Sequence, residues 1–289
     1  MGLLEGKVAL ITGAGGGLGR SHALLLAKEG ARVVVNDLGG AVDGTGEGSR
    51  MADAVVEEIR KAGGEAVADY GSVTSDAEQM VATAMEAFGR LDICICNAGI
   101  LRDKSFKNMT PDLWYPVLDV HLNGTYRVAK AAYDQMLLQG EGGRIVVTSS
   151  TAGLIGNFGQ TNYGAAKAGI AGFMRCLARE GIKYGITVNV LAPAAWSRMT
   201  ENLLPQGSAE RFSPDRVSPV VAWLCSDEAA DVTGRQFCAG GNRVSLLSWQ
   251  VDVLAEKDPS GDPWSPAEIG ATLRESIERW PKPLGPMDV

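Results

Sequence analysis

The apolar positions of this chain fall into short unbroken runs. Residues 7–12 (Lys-Val-Ala-Leu-Ile-Thr), 32–36 (Arg-Val-Val-Val-Asn), 65–69, 91–96 (Leu-Asp-Ile-Cys-Ile-Cys), 144–150 (Arg-Ile-Val-Val-Thr-Ser-Ser) and 186–191 (Ile-Thr-Val-Asn-Val-Leu) read as strands, and the run at 7–12 lacks the alternation of a half-buried strand. A strand apolar on both sides needs both faces of its sheet covered, which is the habit of parallel sheets with helices above and below. The intervening stretches read as helices. One carries Leu24, Leu25, Leu26 and Ala27 and stops at Gly30; a second covers 49–62 with Ala54, Val55 and Ile59 as its apolar face; a third runs over 75–88 and ends before Gly89. A long one opens at Pro111, where the missing N–H is harmless, and runs through 119–126; later ones carry Tyr163 and cover 214–226. With a last strand over 234–238, this regular alternation predicts an α/β fold, a doubly wound parallel sheet of about seven strands with helices on both faces. Beyond Gly241, residues 244–254 look strand-like and 266–279 helical. No repeat or linker separates them, so residues 1–289 read as one domain with a C-terminal extension, 241–289, packed on it.

Composition narrows the classes of function. The 289 residues are 45% hydrophobic and 21% charged, ordinary for a soluble globular chain, and the one excess is glycine, at 37 residues. A net charge of -7 with no basic stripe argues against nucleic acid or an anionic membrane as partner. No apolar run reaches the ~18 residues of a membrane span. The first seven residues lead straight into a strand without the segments of a signal peptide, so a reducing cytoplasm is the expected setting. Cys94 and Cys96 share a strand, while Cys176, Cys225 and Cys238 are scattered. None of this has metal-ligand spacing, and core thiols without a metal are expected.

Three features carry chemistry. The first is Gly13-Ala14-Gly15-Gly16-Gly17-Leu18-Gly19-Arg20, between the first strand and its helix. Such glycines let the backbone turn sharply and approach a pyrophosphate, whose charge meets the amides at the helix start. The second is Asp37, directly after the second strand, placed to accept hydrogen bonds from ribose hydroxyls and to repel a 2′-phosphate, which favours NAD. The third is Tyr163 with Lys167. Four residues apart, they share a helix face; an ammonium beside a phenol favours the phenolate, which makes an acid/base catalyst. Ser150 closes the strand at 144–150, at the end of the sheet where open α/β folds bind ligands.

The Thr-Gly-x-x-x-Gly-x-Gly form from Thr12 to Gly19, the Asn97-Ala98-Gly99 triplet and the spacing of Ser150, Tyr163 and Lys167 resemble the short-chain dehydrogenases/reductases. The resemblance implies that Gly13, Gly16, Gly17, Leu18, Gly19, Asp37, Ser72, Val73, Asn97, Ala98, Gly99, Pro193, Tyr163 and Lys167 bind the cofactor. Gly16 stands where NADP-preferring relatives often carry Arg or Lys, which again favours NAD. Tyr163 would exchange the hydroxyl proton, Ser150 hydrogen-bond the substrate oxygen, and Lys167 lower the tyrosine pKa while holding the nicotinamide ribose. His121 stands where most of the family has Asn, in the place of a proton relay. Ala192-Pro193-Ala194-Ala195 replaces a commoner Pro-Gly, and residues 196–206 would form a mobile substrate lid. The small residues of the Tyr163 helix imply a subunit interface in a homodimer or homotetramer.

Further stretches, at 33–40, 99–103, 156–160 and 197–200, are similar to the (3R)-hydroxyacyl-CoA dehydrogenase module of type 2 peroxisomal multifunctional enzymes. A free-standing relative acting on an acyl-CoA with NAD is therefore expected, without a peroxisomal address at its end. Reduction of 3-oxoacyl carrier protein and oxidation of hydroxysteroids are the alternatives on the same fold. A non-catalytic nucleotide-binding regulator is disfavoured, because Tyr163 and Lys167 are both kept. Candidates to meet coenzyme A phosphates are Arg102, Lys104, Lys107 and Arg198.

Overall fold

The computed structural model describes residues 2–46, 48, 50–196, 200, 207–282 and 284–285. In chain order the elements are β1 (Val8–Thr12), α1 (Gly17–Lys28), β2 (Arg32–Asn36), α2 (Arg50–Lys61), β3 (Ala66–Asp69), α3 (Ala77–Phe88) and β4 (Ile93–Cys96). There follow α4 (Pro111–Leu118), α5 (Gly124–Gln139), β5 (Gly143–Thr148), the single turn α6 (Thr151–Leu154), α7 (Thr161–Gly181) and β6 (Ile186–Pro193). The chain continues through α8 (Ser218–Leu224), β7 (Gln236–Gly240), β8 (Arg243–Leu247) and α9 (Pro266–Ser276).

The strands form one eight-stranded sheet in the order β3-β2-β1-β4-β5-β6-β7-β8. The first seven are parallel and β8 runs antiparallel to β7. The direction of winding reverses between β1 and β4, the switch point at which open sheets of this kind bind ligands. Successive residues of the central strands feed two cores. Ala9, Ile11, Val33 and Val35 pack on one side with Leu26, Val55 and Val221 from α1, α2 and α8. Val8, Leu10 and Val34 pack on the other with Met80, Ala132 and Ile170 from α3, α5 and α7. Both faces are covered, and this is why the strands are mostly apolar on both sides, with a few buried polar residues such as Thr12, Asn36 and Asn189.

The structure corrects several expectations. The sheet has eight strands, not about seven. β8 follows a two-residue turn at Gly241 (φ 57°) and Asn242 (φ 65°), both left-handed, as in the tight hairpin turns whose twist matches that of a sheet. The expected strand over 244–254 ends at Leu247, because that residue already pairs with Gln236, the first residue of β7, and the antiparallel ladder has no further partner residues there. On α2 the buried face is Ala52, Val55, Val56 and Ile59, while Ala54 is exposed: burial follows the i, i+3, i+4, i+7 stripe, and Ala54 lies off it. The loop expected at 151–160 begins with the turn of α6, capped by the Ser150 side chain. The long helix after Pro111 is interrupted at Asp119–Asn123 by a π-helical turn carrying His121. Among the described residues from 241 onward only Ser276 is buried, so the extension lies largely on the surface. Of the lid expected at 196–206, residues 197–199 and 201–206 lie outside the described residues. No helix of the described residues is long and apolar enough to cross a membrane.

Candidate active site

The carboxyl ends of the strands open into a cavity of about 710 Å³. Every residue singled out above for cofactor or catalysis lines it: Gly13, Gly16, Gly17, Leu18, Gly19, Asp37, Ser72, Val73, Asn97, Ala98, Gly99, His121, Ser150, Tyr163, Lys167 and Pro193. Residues up to 180 positions apart meet because a parallel sheet delivers the ends of all its strands to one edge.

The glycine turn is held from below by β4. Asn97 donates from Nδ2 to the carbonyls of Thr12 (3.0 Å) and Gly13 (3.2 Å), and the Thr12 hydroxyl accepts the amides of Asn97 (3.0 Å) and Ala98 (3.1 Å). A Cβ on Gly19 would stand 2.2 Å from the Gly13 carbonyl oxygen, so no larger residue fits there. Gly13 (φ 64°) and Gly17 (φ 50°) adopt left-handed backbone that favours glycine. Helix α1 opens on the cavity with Gly16 as N-cap, no side-chain cap and no acid in its first turn. Its leading amides are left for an anion. Asp37 accepts the amides of Gly15 (2.8 Å) and Gly39 (2.7 Å), one on each carboxylate oxygen, which fixes the group while leaving further lone pairs on both oxygens.

At the reaction end, Ser150 closes β5 and Tyr163 and Lys167 project from α7. The serine hydroxyl caps α6, accepting the Ala152 amide, and lines the cavity together with the Tyr163 phenol. Lys167 is buried, donates to the Thr148 carbonyl at 2.6 Å, and places its ammonium 5.5 Å from the centre of the Tyr163 ring. Burial pushes the Tyr163 phenol up to about 12; the Ser150 hydrogen bond lowers it and the Asp103 charge raises it. Burial also brings Lys167 down to about 7. The expectation that the lysine lowers the tyrosine pKa is not met in this state: desolvation dominates both groups and pushes each toward its neutral form.

His121 is fully buried. Its ring stands edge-on to that of Tyr163, centroids 5.1 Å apart, and its Nε2 lies between the Ile100 amide (3.1 Å) and the Ile100 carbonyl (2.8 Å), accepting from the one or donating to the other according to the tautomer. Nδ1 has no hydrogen-bond partner. Burial, and then the nearby Lys167 charge, hold its pKa well below the usual value, so the ring is neutral. It rests on Gly99, where an added Cβ would come within 2.2 Å of the imidazole.

Sequence reasoning missed a polar clamp beside the tyrosine. Asn162, wholly buried, donates from Nδ2 to the carbonyls of Arg102 (2.9 Å) and Leu113 (2.8 Å) and accepts the Tyr163 amide (2.7 Å) on Oδ1. Gln160 donates to Asp103 at 2.6 Å. A polar residue next to Tyr163 in a small-residue helix was the available signal. The proposed phosphate cluster is not assembled as expected. Arg102 spends its guanidinium on the carbonyls of Asp43 and Asp112, Lys104 and Lys107 do not line the cavity, and Arg198 lies outside the described residues.

Comparison with known proteins agrees with this geometry. Residues 7–206 match the family model described as short chain dehydrogenase. The mouse peroxisomal multifunctional enzyme type 2 is 47% identical over 265 residues, which make up 92% of this chain but 36% of that enzyme, so the chain spans about a third of its length. The crystal structure of a short chain dehydrogenase from Mycobacterium avium superposes with a TM-score of 0.86 at 40% identity and covers 98% of both chains. That of carveol dehydrogenase from Mycobacterium avium in complex with NAD gives 0.74 at 29% identity, covering 82% of this chain and 97% of that one. The sheet, the glycine turn and the family match together make this chain a member of the short-chain dehydrogenases, an oxidoreductase that uses a nicotinamide cofactor.

Proposed function

We propose that the protein oxidises a (3R)-3-hydroxyacyl-CoA to the 3-oxoacyl-CoA with NAD. The observation that carries this reading is the convergence of Ser150, Tyr163 and Lys167 on one cavity that also holds the glycine turn and Asp37. The substrate class rests on the 47% identity to the peroxisomal multifunctional enzyme. Asp37 supports NAD over NADP, because its carboxylate would stand against a 2′-phosphate and no basic residue replaces Gly16 to offset it.

The amides of α1 and Asp37 would hold NAD, which when bound would supply the acceptor for the hydride from the carbinol carbon. The chain's own residues handle the proton and the geometry. Ser150 donates to the substrate oxygen and orients it toward Tyr163. The phenol, once ionised, takes the hydroxyl proton. Lys167 exchanges protons near neutrality, where an ordinary lysine would not, because burial has brought it down to about 7. His121, neutral, edge-on to the Tyr163 ring and with no hydrogen-bond partner on Nδ1, extends this route toward the cavity wall. Because hydride and proton leave in fixed directions, one enantiomer fits. The same proposal includes a cytoplasmic setting and a dimer or tetramer; the exposed Tyr115 and Tyr126 on α4 and α5 support the assembly only.

Steady-state rates with NAD on the 3R and 3S hydroxyacyl-CoA esters, beside a carrier-protein ester and a hydroxysteroid, test the proposal. A clear preference for the 3R ester is the expected result. Equal rates on both enantiomers, or faster turnover of the steroid or the carrier-protein ester, would overturn it.

A further inference from the structure

The cavity has a second charged end. Counting along the sheet, β5, which ends beside the catalytic serine, lies three strand spacings from β2 and three from β8, so the reaction centre sits about 14 Å from each. At the β2 end stands Asp37, the only acid among the described lining residues. At the β8 end the lining residues include Arg211 and Arg243.

The hairpin turn brings these two arginines together. Arg243 opens β8 opposite Gly240, and the Arg211 side chain packs against Gly241, where an added Cβ would lie 3.6 Å from its Cγ and Nε. The Arg211 guanidinium also lies over the Phe212 ring, 5.3 Å from its centre. Both residues are exposed, and among the described residues neither guanidinium has an acidic partner. In a chain of net charge -7, two unpaired guanidiniums at the edge of a cavity are not generic surface charge. Guanidinium groups match phosphate oxygens in geometry as well as charge.

The geometry points to Arg211 and Arg243 as the site for the phosphates of the substrate's carrier, which we propose to be the coenzyme A handle. This rests on the reading above and assigns that handle a place. The cofactor's phosphates have a separate site at the glycine turn after β1, about 24 Å across the sheet from β8. That leaves the arginine end to the second substrate, whose pantetheine arm separates the reacting thioester from its phosphates. The strand that carries Arg243 belongs to the C-terminal extension, which thereby acquires a recognition role.

The test compares the wild-type chain with Arg211→Ala, Arg243→Ala and the double variant in two measurements. In the first, kcat/KM is taken on a 3-hydroxyacyl-CoA and on the same acyl group carried by N-acetylcysteamine, which has no phosphate. Each substitution should lower the preference for the coenzyme A ester about fivefold, the scale of one exposed ionic contact. Arg243→Lys should restore part of it. An unchanged preference overturns the assignment, and so does a rise in the KM for NAD in its place. In the second, free coenzyme A is titrated into the NAD-loaded protein by calorimetry, which needs no turnover. Weaker binding by the double variant supports the arginine site even if the wild-type enzyme turns out to oxidise another alcohol, in which case the proposed reaction fails alone. Equal binding by all variants, or no binding by the wild type, overturns the site.

Discussion

The chain contains two histidines, and the fold buries both without charge, which makes stability sensitive to mild acid. His22, on α1, is wholly buried; its Nδ1 lies 2.8 Å from the Ser218 hydroxyl on α8, and its Nε2 has no partner. Ser218 shares a hydrogen bond with Ser21, which donates to Asp215, so the helix behind the glycine turn is fastened to α8 through this cluster. Burial lowers the His22 pKa from 6.5 to about 3. A folded-state pKa below the unfolded one means that the contribution to stability is complete above 6.5 and is lost as pH falls from there toward 3. By pH 5 the loss is about 1.5 pH units at 1.36 kcal/mol each, or about 2 kcal/mol. His121 shifts in the same direction and adds to it. Against a total stability of about 5–15 kcal/mol this is large; at about 2–4 °C per kcal/mol, His22 alone should lower Tm by about 4–8 °C between pH 7 and pH 5. The window stops at pH 5 so that ordinary carboxylates remain ionised. His22→Asn keeps a polar partner for Ser218 and removes the titration. The variant should melt lower than wild type at pH 7, yet lose about 4–8 °C less on acidification. Melting curves at the two pH values decide the matter. An equal pH dependence in variant and wild type would refute the argument.

Tyr163→Phe should lower turnover at least ~100-fold, the scale for loss of a general acid/base, with the KM for NAD little changed; near-normal activity would remove the phenol from the mechanism. Asp37→Ala should narrow the preference for NAD over NADP, and an NADP preference in the unmodified enzyme would contradict the role given to the carboxylate. Oxidation should accelerate with rising pH through neutrality as Lys167, brought down to about 7, loses its proton, and go on rising above it because Tyr163, raised to about 12, is still protonated there; reduction should show the opposite trend, and a flat pH–rate profile in both directions counts against the pair. His121→Leu, which removes both ring nitrogens, should lower kcat by about tenfold and flatten that profile, whereas unchanged kcat and profile would leave the imidazole a purely structural part.

What could be read from the sequence divides along the range of the interaction. The doubly wound sheet was legible because two covered faces leave short, mostly apolar strands that recur regularly between helical stretches. The site residues were legible because the turns after β1, β4 and β5 are local motifs, and a parallel sheet gathers such turns at one edge without further instruction. Features set by distant partners were not legible. Nothing in residues 119–123 announces the π-helical turn that seats His121 on Gly99. Ala54 looks as apolar as its neighbours, but Ala52, Val55, Val56 and Ile59 form the helical stripe that is buried, so this feature was in the sequence and the expectation at Ala54 missed it. The alternation after Gly241 suggested a longer strand than the sheet edge allows. Arg102 looked available as a phosphate ligand until the fold placed two backbone carbonyls against it, while Arg211 and Arg243 could not be paired before the hairpin was known.

Those long-range contacts also explain how separate motifs act as one site. The segment after β4 touches each of them in turn within eight residues. Asn97 ties down the glycine turn, Ile100 meets the His121 ring, the Arg102 carbonyl receives Asn162, and Asp103 receives Gln160. Asn162 in turn holds the amide of Tyr163. Cofactor turn, histidine and tyrosine are thus registered against a single stretch of backbone, and an error in that stretch would displace all three together. Buried polar contacts of this kind are costly to leave unmade, so they resist partial rearrangement. Removing the Asn162 amide would strand two backbone carbonyls and release the backbone of Tyr163 at once. A loss of activity there, without any loss of a group that touches substrate, is what a shared frame implies.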